Sequence, residues 1–84
     1  MEEGFELPVM YKGKEILFPA KLLKLGYIYK IEVDIDGVLV HFEKDDERNW
    51  RAILVDPTLN FEKSIKKELI NEVIASIELL VGTN

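Results

Sequence analysis

The chain has 84 residues, a formal net charge of −5 and no cysteine. This length predicts one domain spanning residues 1–84, and the scattered basic residues argue against a nucleic-acid partner, since phosphate-binding surfaces depend on clustered Lys and Arg. The missing cysteines exclude disulfides, thiolate zinc sites and a cysteine nucleophile, and every apolar run is shorter than the ~18 residues that span a bilayer.

The first predicted element is a hairpin that turns at Lys12-Gly13. Glycine adopts positive φ freely, which suits a two-residue hairpin turn. Pro8 and Pro19 fit an edge strand or a bulge. Residues 20–26 fit either the tail of a strand or one helical turn, and we expect extended or irregular structure there. The turn sets Val9 against Ile16, Leu7 against Phe18, and Phe5 against Ala20.

A second hairpin is predicted about Asp36-Gly37, because residues 27–35 alternate between apolar and polar side chains. Asp and Gly tolerate the positive φ angles of a type I′ turn, and a two-residue loop fixes the register. One face of this hairpin is then wholly apolar, and a slip by one residue would destroy the pattern. The predicted pairs are Ile35 with Val38, Val33 with Val40, Ile31 with Phe42, Glu32 with His41, and Lys30 with Glu43.

A polar loop around residues 46–48 leads to the last predicted strand. Its register follows from the need to keep Phe42 opposite an apolar residue, since a shift by one would place Phe42 against Arg51. The predicted pairs are Phe42 with Ala52, Val40 with Leu54, Lys44 with Trp50, and Glu43 with Arg51.

A C-terminal helix is predicted over residues 60–81. Asn60 or Asp56 could cap its start and Gly82 could end it. We therefore predict an α+β fold: an antiparallel β-meander of about five strands within residues 1–55, with one C-terminal α-helix packed on one face. The apolar residues at helical spacing are Leu69, Val73, Ile77, Leu80 and Val81, widened by Ile70 and Ile74.

The run Asp34-Ile35-Asp36-Gly37 resembles the opening motif of the haloacid dehalogenase-type phosphatases. The resemblance implies a nucleophile at Asp34 and a general acid at Asp36. It covers only about eight residues, 33–40, however, and the family builds its site in a much larger α/β domain with further catalytic side chains. Too little chain follows Gly37 to form a doubly wound sheet. We therefore expect a hairpin here and no phosphatase activity.

Two acidic arrangements are candidate metal sites. Asp34, Asp36 and Asp45 lie in a window of calcium-loop length, but Val38 and Leu39 occupy positions where that loop needs a ligand and a glycine. The second arrangement is the acidic cluster of Glu43, Asp45, Asp46 and Glu47, which is typical of a solvated hairpin tip. We expect no metal site and no cofactor.

Histidine and aromatic residues supply two weaker hypotheses. A hydrolase would use His41 with nearby carboxylates such as Glu32, but either serine, Ser64 or Ser76, lies on the predicted helix and would have to reach His41 across the sheet. A small-ligand-binding domain would instead use aromatic residues between sheet and helix. The candidate ligand residues are Trp50, Tyr27 and Tyr29.

The strongest functional signal is an apolar patch on the second face of the sheet. The predicted register places Leu39, Ile53 and Val55 together there, with Ile28 near them, and Leu79 lies opposite the apolar stripe of the helix. A contiguous exposed apolar patch marks an interface, unless the N-terminal hairpin or the chain ends cover it.

We therefore expect a non-enzymatic protein-interaction or self-associating module. The small-ligand-binding domain is the alternative hypothesis, and the hydrolase is a weaker one. The acidic N-terminus lacks the basic and apolar regions of a signal peptide, so a cytoplasmic location is the default expectation. Neither nucleic acid nor a membrane surface is an expected partner.

Overall fold

The structure, a computed structural model, describes residues 2–56, 58–59 and 65–81. In these residues, five strands form one antiparallel sheet in the order β1-β2-β3-β4-β5, and one helix follows them. This arrangement confirms the predicted α+β fold. The elements are β1 (Glu2–Tyr11), β2 (Lys14–Leu25), β3 (Ile28–Ile35), β4 (Val38–Lys44), β5 (Trp50–Leu54) and α1 (Lys67–Val81).

The two predicted hairpin turns are both present. Lys12 and Gly13 have φ angles of 53° and 78°, and Asp36 and Gly37 have φ angles of 52° and 91°. Positive φ at both central residues is the mark of a type I′ turn, whose twist matches that of the flanking strands. The predicted registers of β1 with β2 and of β3 with β4 are confirmed.

The second turn also contradicts the phosphatase arrangement. β4 begins at Val38, directly after the turn, and pairs with β3. The Asp34 side chain accepts a hydrogen bond of 2.8 Å from the Gly37 backbone N–H, so this carboxylate supports the turn. The acidic run is therefore part of a hairpin, as its alternation predicts.

Gly37→Val is expected to destabilise the domain by about 1–3 kcal/mol, since a β-branched residue strongly resists a φ near +90°. Gly4→Ala is the control, because a Cβ at Gly4 would meet nothing closer than the Ala20 carbonyl oxygen at 3.8 Å. Urea denaturation of both variants measures the difference. Equal stability of Gly37→Val and the unsubstituted chain would contradict the turn.

Residues 20–26 are extended, which is one of the two forms expected for them. They continue β2 as regular strand up to Leu25, and the chain turns at Gly26, whose φ is 68°. Leu22 pairs with Ile31 on β3, and Leu23 pairs with Glu2 on β1. This segment is held between two neighbours, and this pairing overrides its local resemblance to a helical turn.

Asp45 organises the connection between β4 and β5. Its carboxylate accepts 2.9 Å hydrogen bonds from the backbone N–H groups of Glu47 and Asn49, and Arg48 has a φ of 65°. After this connection, β5 pairs with β4 in the predicted register, with Phe42 opposite Ala52. The acidic tip therefore has a structural role in shaping the loop.

The helix begins later than predicted. α1 starts at Lys67, and residues 65–66 are not helical. The predicted start at residues 60–64 and the predicted end at Gly82 lie outside the described residues. Asp56 does not cap α1: its carboxylate accepts hydrogen bonds from the Thr58 hydroxyl at 2.7 Å and the Thr58 N–H at 2.9 Å. These two hydrogen bonds lower the pKa of Asp56 below its usual value.

The core lies between α1 and one face of the sheet. Leu80 and Val81 were predicted in the apolar stripe of the helix but are exposed, because the last turn extends past the buried surface. The buried apolar residues come from every strand and from the helix region. They are Leu7, Val9, Phe18, Ala20, Ile31, Val33, Ile35, Val40, Phe42, Trp50, Ile65, Leu69, Ile70, Val73 and Ile77.

Candidate interaction surface

The sheet face turned away from α1, here called the open face, carries three neighbouring apolar side chains. Leu39, Ile53 and Val55 are 41%, 40% and 42% exposed. The backbone N–H of Val55 donates to the Leu39 carbonyl over 3.2 Å, and Ile53 pairs with His41 one step along. These three residues form the open-face patch, as the predicted register requires.

The structure does not bring the other two predicted interface residues into this patch. Ile28 is exposed on the open face but lies at the opposite end of β3, where it pairs with Leu25. Leu79 is 84% exposed on α1, which packs against the other side of the sheet. The alternation of β3 places Ile28 on the correct face but does not give its distance from the patch along the strand. Leu79 is exposed opposite the buried stripe of α1, as predicted.

The N-terminal hairpin does not fold over the patch. β1 is an edge strand of the same sheet, four strands away from β5, so among the described residues no segment covers the open face. Met10 and Leu17 are also exposed apolar residues on this face, at the β1–β2 end. The sequence reading missed them, although the alternation of β2 around Ile16 and Phe18 carries the signal.

Charged residues occupy the middle of the open face. The Glu43 carboxylate lies 3.7 Å from Lys30 Nζ and 3.3 Å from Arg51, so one anion on β4 bridges cations on both neighbouring strands. Glu32 and His41 form a second pair at 2.9 Å. Cross-strand pairs of this kind contribute a few tenths to ~1 kcal/mol each to the stability of the sheet.

The predicted Glu32–His41 contact is present, but the hydrolase arrangement around it is not completed by Ser76. Glu32 Oε2 lies 2.9 Å from His41 Nε2, which makes an ionic pair when the imidazole is protonated. Ser76 lies on α1, on the other side of the sheet. Ser64 lies outside the described residues. Within the described part of the chain, no three acidic or histidine side chains are grouped to hold a metal ion.

The predicted aromatic residues do lie together. Tyr29 and Trp50 meet edge to face with centroids 6.4 Å apart, and Lys44 Nζ lies 5.5 Å from the centre of the Trp50 ring. The hollow that they line with Tyr27 and Ile28 has a volume of about 180 Å³. Ligand pockets usually have ~300–1,000 Å³, so this hollow is too small to enclose a typical ligand.

A larger concavity, here called the edge groove, runs between β5 and α1. Its volume is about 570 Å³, and its rim carries the basic side chains of Arg51, Lys66 and Lys67. The sequence reading missed this groove, because the gap depends on how far the helix axis lies from the last strand. Its apolar lining consists of Trp50, Ala52, Ile65, Ile70 and Ile74.

Comparison of the chain with protein-family models, with curated proteins and with solved structures finds no match. Within the described residues, no helix combines the length and the apolar character needed to cross a membrane. The functional argument therefore depends on the geometry of these surfaces.

Proposed function

We propose that this chain is a non-enzymatic, self-associating interaction module that pairs with a second copy of itself through the open face. The observation that supports this most directly is the open-face patch. Leu39, Ile53 and Val55 stand side by side on adjacent strands with about two fifths of each side chain exposed. Contiguous exposed apolar residues of this kind are typical of contact surfaces.

The size of the open face fits a small interface. Five strands leave four spacings of ~4.8 Å, and the strands have 5 to 12 residues at ~3.3 Å per residue, so the face spans roughly 19 Å across the strands and about 28 Å along a strand of average length. This footprint of roughly 500 Å² is below the ~800 Å² per partner of a standard interface, so we expect a weak dimer that forms at high concentration. Two sheets that pack face to face are also a common architecture.

The charges of the open face favour a copy of the same surface. A two-fold dimer is self-complementary: when residue i meets residue j of the second copy, j meets i. Two adjacent rows run across the strands, one with Glu32 and His41, the next with Lys30 and Glu43. A second copy of the same face carries the same rows, so its acidic groups can meet the basic groups of the first copy.

Ile53→Asp tests this proposal. Its side chain is exposed, so the monomer is expected to fold, while a carboxylate in the interface is expected to weaken the dimer by on the order of 100-fold, since symmetry places it there twice. Sedimentation velocity over a concentration series measures association, and circular dichroism measures folding. Leu79→Asp is the control, because it introduces the same charge on the helix side of the molecule.

Two results would contradict the proposal. One is an unsubstituted chain that remains monomeric over the whole concentration series. The other is a folded Ile53→Asp variant that associates as strongly as Leu79→Asp. If Ile53→Asp unfolds instead, Val55→Lys repeats the test at an exposed position outside the regular part of β5.

A further inference from the structure

The outer edge of β5 presents backbone groups whose directions follow from its pairing with β4. Among the described residues, β5 ends the sheet and has β4 as its only strand neighbour. The hydrogen bond from Val55 N–H to the Leu39 carbonyl shows which residues of β5 direct their backbone groups at β4. In an antiparallel ladder, hydrogen-bonded pairs alternate with non-bonded pairs, so Arg51 and Ile53 direct their backbone groups at β4. The N–H and C=O groups of Trp50, Ala52 and Leu54 therefore point outward.

The side chains of those same three residues lie on the helix-facing side of the sheet. An antiparallel strand added beside β5 would pair with Ala52 and send the side chain opposite it towards α1. That side chain would enter the edge groove, whose apolar lining includes Ile70 and Ile74 on the helix. The outward backbone groups of β5 and the apolar edge groove can therefore both bind the same added strand.

The rim of the edge groove is basic although the chain carries a net charge of −5. Arg51 lies on the open-face side of β5, where it is paired with Glu43, so among the described residues the exposed lysines Lys66 and Lys67 at the start of α1 supply the unpaired part of this charge. Lysines at a helix N-terminus oppose the helix dipole, so their position does not serve helix stability. The dipole and the lysines together favour an anionic occupant.

We propose that the edge groove binds an extended segment of another protein, which joins the sheet as a sixth strand. The segment places apolar side chains at alternate positions into the groove and carries acidic residues between and beyond them. Main-chain hydrogen bonds to β5 supply affinity, and the groove and its basic rim supply selectivity. This extends the proposed interaction function to a second surface and a second kind of partner.

A second copy of the chain fits this groove less well. Pairing β5 with β5 of another molecule would bring two basic rims together, and like charges that meet in an interface disfavour association. The other edge strand, β1, is interrupted by Pro8, which lacks an N–H to donate. A foreign acidic segment meets neither obstacle.

The experiment uses the full chain and the capped peptide acetyl-Glu-Glu-Val-Glu-Val-Glu-Val-Glu-Glu-amide. Trp50 is the only tryptophan and lines the groove, so its fluorescence reports occupancy. The peptide is expected to bind saturably. Two peptides are expected to bind at least about tenfold more weakly: one with lysine in place of every glutamate, and one with N-methylated valines, which cannot donate to β5.

Two double variants change the net charge of the protein by the same amount, one at the rim of the edge groove and one outside it. Lys66→Glu with Lys67→Glu reverses the rim and is expected to weaken binding by on the order of tenfold, while it improves the helix N-terminus and so preserves folding. Lys14→Glu with Lys24→Glu makes the same change at exposed strand positions outside the groove and is expected to leave binding unchanged.

The proposal is overturned if the acidic peptide produces no saturable change in Trp50 fluorescence. It is also overturned if the lysine peptide or the N-methylated peptide binds equally well, or if both double variants bind alike. Sedimentation of the Ile53→Asp variant reports on the open face alone, so this proposal and the self-association proposal can fail separately.

Discussion

Val40→Asp is expected to leave the chain unfolded. Val40 is fully buried in β4, between the sheet and α1. A carboxylate there would lie in a cluster of buried apolar side chains, and an uncompensated buried charge costs about 3–5 kcal/mol. Domains have about 5–15 kcal/mol of stability in total, and small ones lie near the lower end. Circular dichroism at neutral pH should show loss of the folded state.

The neighbouring position on the same strand supplies the control. Leu39→Lys changes an exposed side chain of the open face and sets an ammonium group opposite Asp34 on β3. We expect this variant to fold with its stability changed by no more than about 0.5 kcal/mol. A folded Val40→Asp variant, or an unfolded Leu39→Lys variant, would show that the two faces of the sheet have been assigned the wrong way round.

Ile77→Ala is expected to remove about 2–5 kcal/mol of stability. Ile77 is fully buried where α1 packs on the sheet, and its truncation both loses apolar burial and leaves a cavity. A loss of 1 kcal/mol lowers Tm by about 4–8 °C in a domain of this size, so the melting temperature should fall by more than about 8 °C. Thermal melts followed by circular dichroism measure it.

Leu79→Ala on the same helix is the matched comparison. Its side chain is 84% exposed, so little packing is lost, and alanine is the better helix former. We expect a stability equal to that of the unsubstituted chain or slightly higher. A loss of stability comparable to that of Ile77→Ala would mean that Leu79 is covered in solution and that the helix side of the molecule is a contact surface.

Local chemistry explains why most of the sheet could be predicted. A glycine preceded by Lys12 or Asp36 can form a two-residue turn, and that turn together with period-two alternation leaves one register that buries the apolar face. The start of α1 could not be predicted in the same way. Helical spacing locates the buried stripe, but the end of a helix depends on a few hydrogen bonds, here those of Leu69 and Ile70 to the Lys66 carbonyl.

The same distinction applies to the surfaces of the protein: some of their features follow from the sequence pattern, and others depend on how the elements pack. The exposure of Leu39, Ile53 and Val55 follows from strand parity, which sequence carries. The separation of Ile28 from them, and the gap between β5 and α1, depend on how far apart elements lie in space. The sequence therefore predicts which residues lie on one face of a strand, while grooves between elements require the packed structure.

Each strand pairs with the strand that precedes it in the chain, whereas α1 packs on β1, at the far end of the sequence. On the ribosome, the hairpins can therefore form one after another as the chain emerges, but the apolar side chains of the sheet have no cover until residues 67–81 are made. Unprotected sheets of this kind aggregate readily. A message cut short before the helix is therefore expected to yield an insoluble product, because residues 67–81 pack on the apolar face of the sheet.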